Sequence, residues 1–371
     1  LVIAYAAVPA PAEPAPLFTI LQQELARSME ALGKAAYPPV YFLAYEVTEG
    51  HGFFVSGSFG ALISSSQSSG RLLDVDLRVG SHELDNTHPA RDIGEGLAGM
   101  LDSGPARLPL DDDPLAVKKA LWLATDRKYK AAAERLIKVK AGKRVKVQEE
   151  DRSDDFSRES PAAFIEPPAL LNSNREPWEK RVREWSALFE RYRGILSCGV
   201  QISAHGQTRS LVSSEGTRIQ TSSTHLRLGI SASARANDGM WIHRFESFDA
   251  ESEQALPADT AVREAIAELA AQVLALREAP LAEPYSGPAL LSGEAAAVFF
   301  HEIAGHRLEG HRQKDDREGQ TFARKRGEKV MPDFIDLYDD PRIRSLNGTS
   351  LNGHYRFDNQ GIPAQKALLV E

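Results

Sequence analysis

Phe299-Phe300-His301-Glu302-Ile303-Ala304-Gly305-His306-Arg307-Leu308-Glu309-Gly310 is the stretch on which the reading of this chain turns. Two histidines flank a glutamate, and the run that leads in, Ala295-Ala296-Ala297-Val298-Phe299-Phe300, is apolar on every side. The segment therefore reads as a buried helix. Imidazoles are the commonest zinc ligands, and a glutamate beside them can take a proton from water held by the metal. The familiar zinc-protease pattern spaces its histidines four apart, on one helical face. Here they are five apart. At about 100° per residue, His306 lies roughly 140° round from His301, with Glu302 and Glu309 at roughly 100° and 80°. All four share one broad face. For both rings to reach one ion the helix must widen locally, and Gly305 is the residue type that permits it. The same six-residue pattern also occurs as an ordinary polar helix face. The apolar lead-in argues against that, because buried imidazoles and a carboxylate need compensating partners, and a divalent cation is one.

Composition narrows the rest. At 371 residues there is room for two or three domains with sizeable cores. A hydrophobic fraction of 42% and a charged fraction of 26% fit a globular protein. The net charge of −8 argues against nucleic acid as a partner, since phosphate binding wants a basic surface. The single cysteine, Cys198, excludes an internal disulfide and a cysteine-cluster metal site, and reads as a small buried hydrophobe. No stretch approaches the ~20 apolar residues that span a bilayer. Residues 1–10 are apolar and end in small residues, like the tail of a secretory signal peptide. That points to export to the periplasm; an edge strand or disordered arm on a cytoplasmic protein is the alternative.

Taken in order, the periodicities predict an α+β chain. Residues 1–16 read as a leader or Pro/Ala-rich arm. Residues 17–148 read as an N-terminal α+β domain: a helix from Leu17, strands over 41–47 and 52–63, and the alternation of Leu73, Val75, Leu77 and Val79 with polar residues. The serine-rich 64–70 reads as a hairpin connection. Asp111-Asp112-Asp113-Pro114 opens a long helix. A charged linker over 149–174 precedes a central unit, 175–284. This holds an amphipathic helix with Trp178, Val182, Trp185 and Phe189 on one stripe, then an antiparallel meander with turns at His205-Gly206, Glu215-Gly216 and Asn237-Asp238-Gly239. A helix over 259–276 closes it. Residues 285–371 open a C-terminal domain with a short strand over 289–291, Ser292 as a possible cap, and the histidine helix.

His301-Glu302-x-x-Gly305-His306-x-x-Glu309-Gly310 resembles the signature of the TldD/PmbA metallopeptidases, on the TldD side; PmbA-like partner subunits lack the histidine pair. Asp358-Asn359-Gln360-Gly361-Ile362-Pro363 is similar to the family's Asp-x-x-Gly-x-Pro turn, and the hairpin Val212-Ser213-Ser214-Glu215-Gly216-Thr217 to its Asn-Ser-Glu-Gly turn. The matches run in the right order from about residue 40 onward. The resemblance implies a mostly antiparallel C-terminal domain and a zinc peptidase. His301 and His306 would hold Zn2+ and Glu302 would be the general base. Glu309 would either orient His306 or be a plain helix-face carboxylate. The family's third ligand is a cysteine further along the same domain, expected here downstream of Glu371, so the chain reads as truncated. His311, at roughly 280° round the helix, points away and does not replace it. The resemblance further implies unfolded peptides as substrates, and a homodimer or a heterodimer with a PmbA-like subunit. A non-catalytic peptide-binding or partner subunit of such a dimer is the competing reading. An amidase or esterase would differ in substrate alone.

Overall fold

The computed structural model describes residues 16–33, 37–88, 104–145, 153–169, 171, 173–310, 312 and 321–371. Residues 1–15 of the expected arm over 1–16, the start of the charged linker (149–152), His311 and residues 313–320 lie outside them, and Pro16 belongs to the first helix. The fold is α+β, built on one large sheet. After helix α1 (Pro16–Gly33) come β1 (Val40–Ser58) and β2 (Ala61–Val79), a long antiparallel hairpin. It is closed by Phe59 and Gly60, both at positive φ (45° and 74°). The edge strand β3 (Ala106–Arg107) pairs with β2, and α2 (Pro114–Val145) follows. Asp113 caps α2: its carboxylate accepts the Ala116 amide at 2.7 Å, as an N-terminal aspartate should. Then come β4 (Ala163–Ile165), α3 (Arg175–Ala187), β5 (Ser197–Ser213), β6 (Arg218–Arg235), β7 (Trp241–Ala250) and α4 (Asp259–Glu278). The sheet order is β3-β2-β1-β5-β6-β4, with β7 also on β6; all pairs are antiparallel except β4 with β6. Because β1 pairs with β5 from Ala44–Ser213 to Gly57–Val200, the segments 17–148 and 175–284 contribute to the same sheet.

Strand alternation sends every second residue to each face. On one face, Leu43, Tyr45, Val47, Leu73, Val75 and Leu77 pack under Phe18 and Leu21 of α1 and Leu121 and Leu136 of α2. Further along the same face, Phe53, Val55, Val200, Ile202, Leu228 and Ile230 lie beneath Trp178, Val182 and Trp185 of α3 and Val262, Ile266 and Val273 of α4. The two tryptophans meet with ring centroids 6.2 Å apart, and Trp185 Nε1 donates to Asp259 at 2.8 Å, joining α3 to α4. Cys198 is buried in this second core.

Two turn expectations are corrected. Residues 64–70 are no connection; they run mid-strand in β2, paired with 50–56 of β1. His205-Gly206 lies inside β5, which is continuous from Ser197 to Ser213. The glycines mark close approach between strands. A Cβ on Gly206 would come within 2.9 Å of the His51 ring, and one on Gly52 within 2.3 Å of the Ala204 carbonyl oxygen. Each histidine ring lies across the neighbouring strand's glycine, which a turn reading of His-Gly cannot foresee. Glu215-Gly216 and Asn237-Asp238-Gly239 do turn, with Gly216 at φ 102° and Gly239 at φ 93°.

The C-terminal part begins with α5 (Gly293–Phe300) and contains two small antiparallel pairs, β8 (Leu337–Asp339) with β11 (Ala367–Val370) and β9 (Ser345–Leu346) with β10 (Thr349–Ser350). Residues 289–291 form no strand, and Leu290 is 99% exposed. Residues 354–363 cover the second face of the large sheet. Gly361, at φ 86°, sits where a Cβ would come within 2.8 Å of Thr217 and 3.0 Å of Leu211. Phe357 packs on Phe42, Ala44, Leu211 and Ile219, and Arg209 donates to the Asp358 carbonyl oxygen at 2.8 Å. The two turn motifs singled out in the sequence thus touch each other. Among the described residues no helix is long and apolar enough to cross a membrane.

Candidate metal centre

The helix that starts at Gly293 does not continue as an α-helix through the histidines. Residues His301–Gly305 form a π-turn, and His306–Leu308 a last α-helical turn. A π-turn bonds i to i+5, so it stacks residues five apart, the spacing of His301 and His306. Their ring centroids lie 4.3 Å apart with planes at 71°. One ligand atom from each of His301, Glu302 and His306 falls within 4.8 Å of the others. Gly305 is not what opens the turn: its φ of −49° is available to any residue, and a Cβ there would stand 3.8 Å from His301 Nδ1, an ordinary contact. The widening belongs to the hydrogen-bond register of the segment, and the sequence reading that assigned it to glycine is corrected.

The surroundings also differ from expectation. The apolar lead-in predicts burial, yet α5 has no buried residue, and Val298 is 59% exposed. The His301 and Glu302 side chains are 60% and 62% exposed, that of His306 38%. Apolar residues on every side of a helix give it the capacity to be buried, but burial needs a covering layer, and the large sheet's two cores are already covered by other elements. Ala304, inside the π-turn, is buried.

His306 is held from outside the pair. Its Nδ1 lies 2.9 Å from a Glu309 carboxylate oxygen, and Arg312 donates to the other oxygen of that carboxylate. Glu309 has left helical geometry, with φ −58° and ψ 119°, so it stands at the helix end and not on its face. The hydrogen bond with His306, seconded by Arg312, holds the Glu309 carboxyl below the usual glutamate range. A carboxylate on Nδ1 makes that nitrogen the protonated one and turns the Nε2 lone pair outward, the arrangement metal-bound histidines use. Glu302 places a carboxylate oxygen 3.9 Å from His301 Nε2. Two imidazoles and a carboxylate within a few ångströms of each other form a donor set that fits a divalent metal such as zinc. Cys198, the chain's one thiol, is buried in the sheet core with the Phe59 amide and the Ser58 hydroxyl around its sulfur.

The Arg312 contact was missed in the sequence, although its position three residues after Glu309 is the spacing at which helix-turn neighbours meet.

Residues 284–371 match the family model described as the PmbA/TldA metallopeptidase C-terminal domain. Among solved structures the chain is similar to TldE from Thermococcus kodakarensis, at 16% identity and a TM-score of 0.57, covering 96% of this chain and 68% of that one. It is similar to a proposed modulator of a DNA gyrase from Thermotoga maritima, at 14% identity and a TM-score of 0.53, covering 94% and 68%. A further proposed modulator of DNA gyrase, from Bacteroides thetaiotaomicron, gives 13% identity and a TM-score of 0.51, covering 95% and 69%. At these identities the likeness is one of fold. No curated protein sequence matches the chain.

Proposed function

We propose that this chain, whose residues 284–371 match the PmbA/TldA metallopeptidase C-terminal domain, is a TldD-like member of that family and a zinc-dependent peptidase acting on unfolded peptides. The observation that carries the reading is the π-turn that brings His301, Glu302 and His306 within 4.8 Å of one another. His301 and His306 would hold the ion. The chemistry an ion supplies there when bound is Lewis acidity, which makes water a better acid and polarises a peptide carbonyl. Glu302 is the proton acceptor: its carboxylate stands beside His301, open to solvent, where it can remove a proton from an attacking water. Glu309 and Arg312 fix the ring of His306 from the far side and keep its Nδ1 protonated. An exposed segment suits an extended chain better than a small rigid substrate. Association with a second TldD-like copy or a PmbA-like subunit belongs to the same proposal, as does the export suggested by the apolar start.

The test uses the purified full-length protein. Zinc content and cleavage of a denatured-protein digest or peptide library are measured for wild type and Glu302→Gln. The expected outcome is unchanged metal content and a loss of cleavage of about 10²–10⁴-fold, the usual contribution of a general base. Retained cleavage in Glu302→Gln removes the assigned base. Metal-free protein that binds peptides without cutting them would instead favour the partner-subunit reading.

A further inference from the structure

The charge of this chain is unevenly placed. Helix α2 holds ten lysines and arginines against two carboxylates, Asp126 and Glu134, a net of +8. The whole chain is −8, so taking away the +8 of α2 leaves −16 on all other residues. One helix thus carries a positive field in an otherwise acidic molecule. The acidic run Asp111-Asp112-Asp113 stands at its N-terminal end alone, where Asp112 is bonded to Arg71 and Asp113 to the Ala116 amide. The two carboxylates within the helix are each engaged one turn away, Asp126 by Lys130 and Glu134 by Lys138, at 2.7 Å in both cases.

The helix has two faces. Val117, Leu121, Ala124, Ala132 and Leu136 are buried in the core shared with α1, β1 and β2. At about 100° per residue, Leu115, Lys119, Trp122, Lys130, Ile137 and Lys140 fall in a stripe about 80° wide on the opposite side. All three lysines are exposed. So are the apolar members: Leu115 is 78% exposed, Ile137 69% and Trp122 50%. Single apolar residues on a surface are ordinary. Here they share one stripe with the cations, so whatever covers it must offer negative charge and an apolar layer together.

That requirement selects the partner. A nucleic-acid backbone would meet the lysines and leave Leu115 and Ile137 without apolar cover. An anionic lipid surface supplies both, with headgroups for the ammonium groups and the acyl boundary for the aliphatic side chains, while the lysine stems lie along the apolar strip. Tryptophan favours that same interfacial depth. A helix that lies on the surface needs no membrane-crossing length or hydropathy, and α2 has none.

We propose that the outward stripe of α2 docks the folded chain on an anionic lipid surface, with the helix parallel to the bilayer plane and the sheet behind it. The stripe shares no residue with the histidine site, so its test is independent of the metal and of peptidase activity.

The experiment is co-sedimentation of the full-length protein with vesicles of phosphatidylcholine alone and of phosphatidylcholine mixed with phosphatidylglycerol, at physiological ionic strength, alongside titration of a random-sequence DNA duplex. Binding to the phosphatidylglycerol vesicles is expected to be about tenfold or more tighter than to the neutral ones. Lys119→Gln/Lys140→Gln changes two exposed side chains and should leave the denaturation midpoint in place. It should weaken binding to the anionic vesicles by about thirtyfold, the worth of two lysines at such a surface. Vesicles with brominated acyl chains should quench Trp122 and spare Trp241, the other exposed tryptophan, so that quenching disappears in Trp122→Phe and persists in Trp241→Phe. No binding to phosphatidylglycerol vesicles, equal binding to both lipids, or unchanged binding in the double variant overturns the proposal. So does quenching that survives Trp122→Phe, or binding of the DNA duplex without binding of vesicles, which would make the stripe a nucleic-acid surface.

Discussion

Strands β5 and β6 and helix α5 are both strongly apolar stretches, and they meet opposite fates. Val200, Ile202 and Ile230 have no exposed surface beneath α3 and α4, whereas Val298, Phe299 and Phe300 all remain substantially exposed. The difference is one of neighbours. A strand in a seven-stranded sheet has a covering helix supplied by the same chain; α5 runs into its own π-turn and, among the described residues, buries none of its side chains. Apolar pattern therefore measures what an element could bury, and topology decides whether it does. In this molecule the two largest cores lie on one side of the sheet and a smaller one on the other, and the proposed chemistry sits in a segment that belongs to none of them.

That division predicts separable losses. The largest effect should come from Trp185→Ala, which empties a site that is 3% exposed and removes the bond to Asp259. Unfolding by denaturant should show a loss of about 3–5 kcal/mol. Zinc bound per folded molecule should not change; a parallel loss of metal would break the division.

Next in size is Glu309→Gln. Losing a charged partner on Nδ1 should weaken zinc binding by about 10–100-fold, read by competition with a chelator, while the denaturation midpoint stays put. The pH dependence has a definite sign. Because the carboxyl is held below the usual glutamate range by His306 and then Arg312, it binds its proton less readily folded than unfolded. The contact is fully present above the ordinary glutamate range and is lost as pH falls through the depressed value. A titration of the Glu309 carboxyl by NMR should show its midpoint rise toward the ordinary value in His306→Ala; an unmoved midpoint would remove the hydrogen bond as the cause.

The smallest effect is expected from Gly305→Ala. With φ at −49° and open space around the added carbon, stability should change by less than about 0.5 kcal/mol and zinc affinity little. A large loss would return to glycine the role that the backbone geometry denies it.

Much of the architecture can be read from local pattern. The alternation at Leu73–Val79, the stripe Trp178-Val182-Trp185-Phe189, and the acidic start of α2 each state their element and their buried face, because each obeys one period throughout. What could not be read is pairwise. Gly206 looks like a turn residue until the His51 ring of the neighbouring strand is found lying across it. The serines of 64–70 look like a loop until β1 supplies main-chain partners that outweigh their weak strand preference. At the histidines the five-residue spacing announced a widened helix, but Arg312 and the exposure of α5 depend on where the chain goes afterwards. The cavity of about 760 Å³ on the second face of the sheet was beyond reach, since its walls come from residues 46, 166, 207, 209, 221–223, 344 and 354–360, which no short window contains.

The π-turn has an evolutionary corollary. Relative to an α-helix, such a turn carries one surplus residue, so deleting any one of Ile303, Ala304 or Gly305 would leave His-Glu-x-x-His, the four-apart arrangement that an unbroken α-helix stacks by itself. The two styles of histidine pair are thus separated by a single codon. Neither crossing would require a new ligand, only a change in how tightly the backbone is wound between the two it already has.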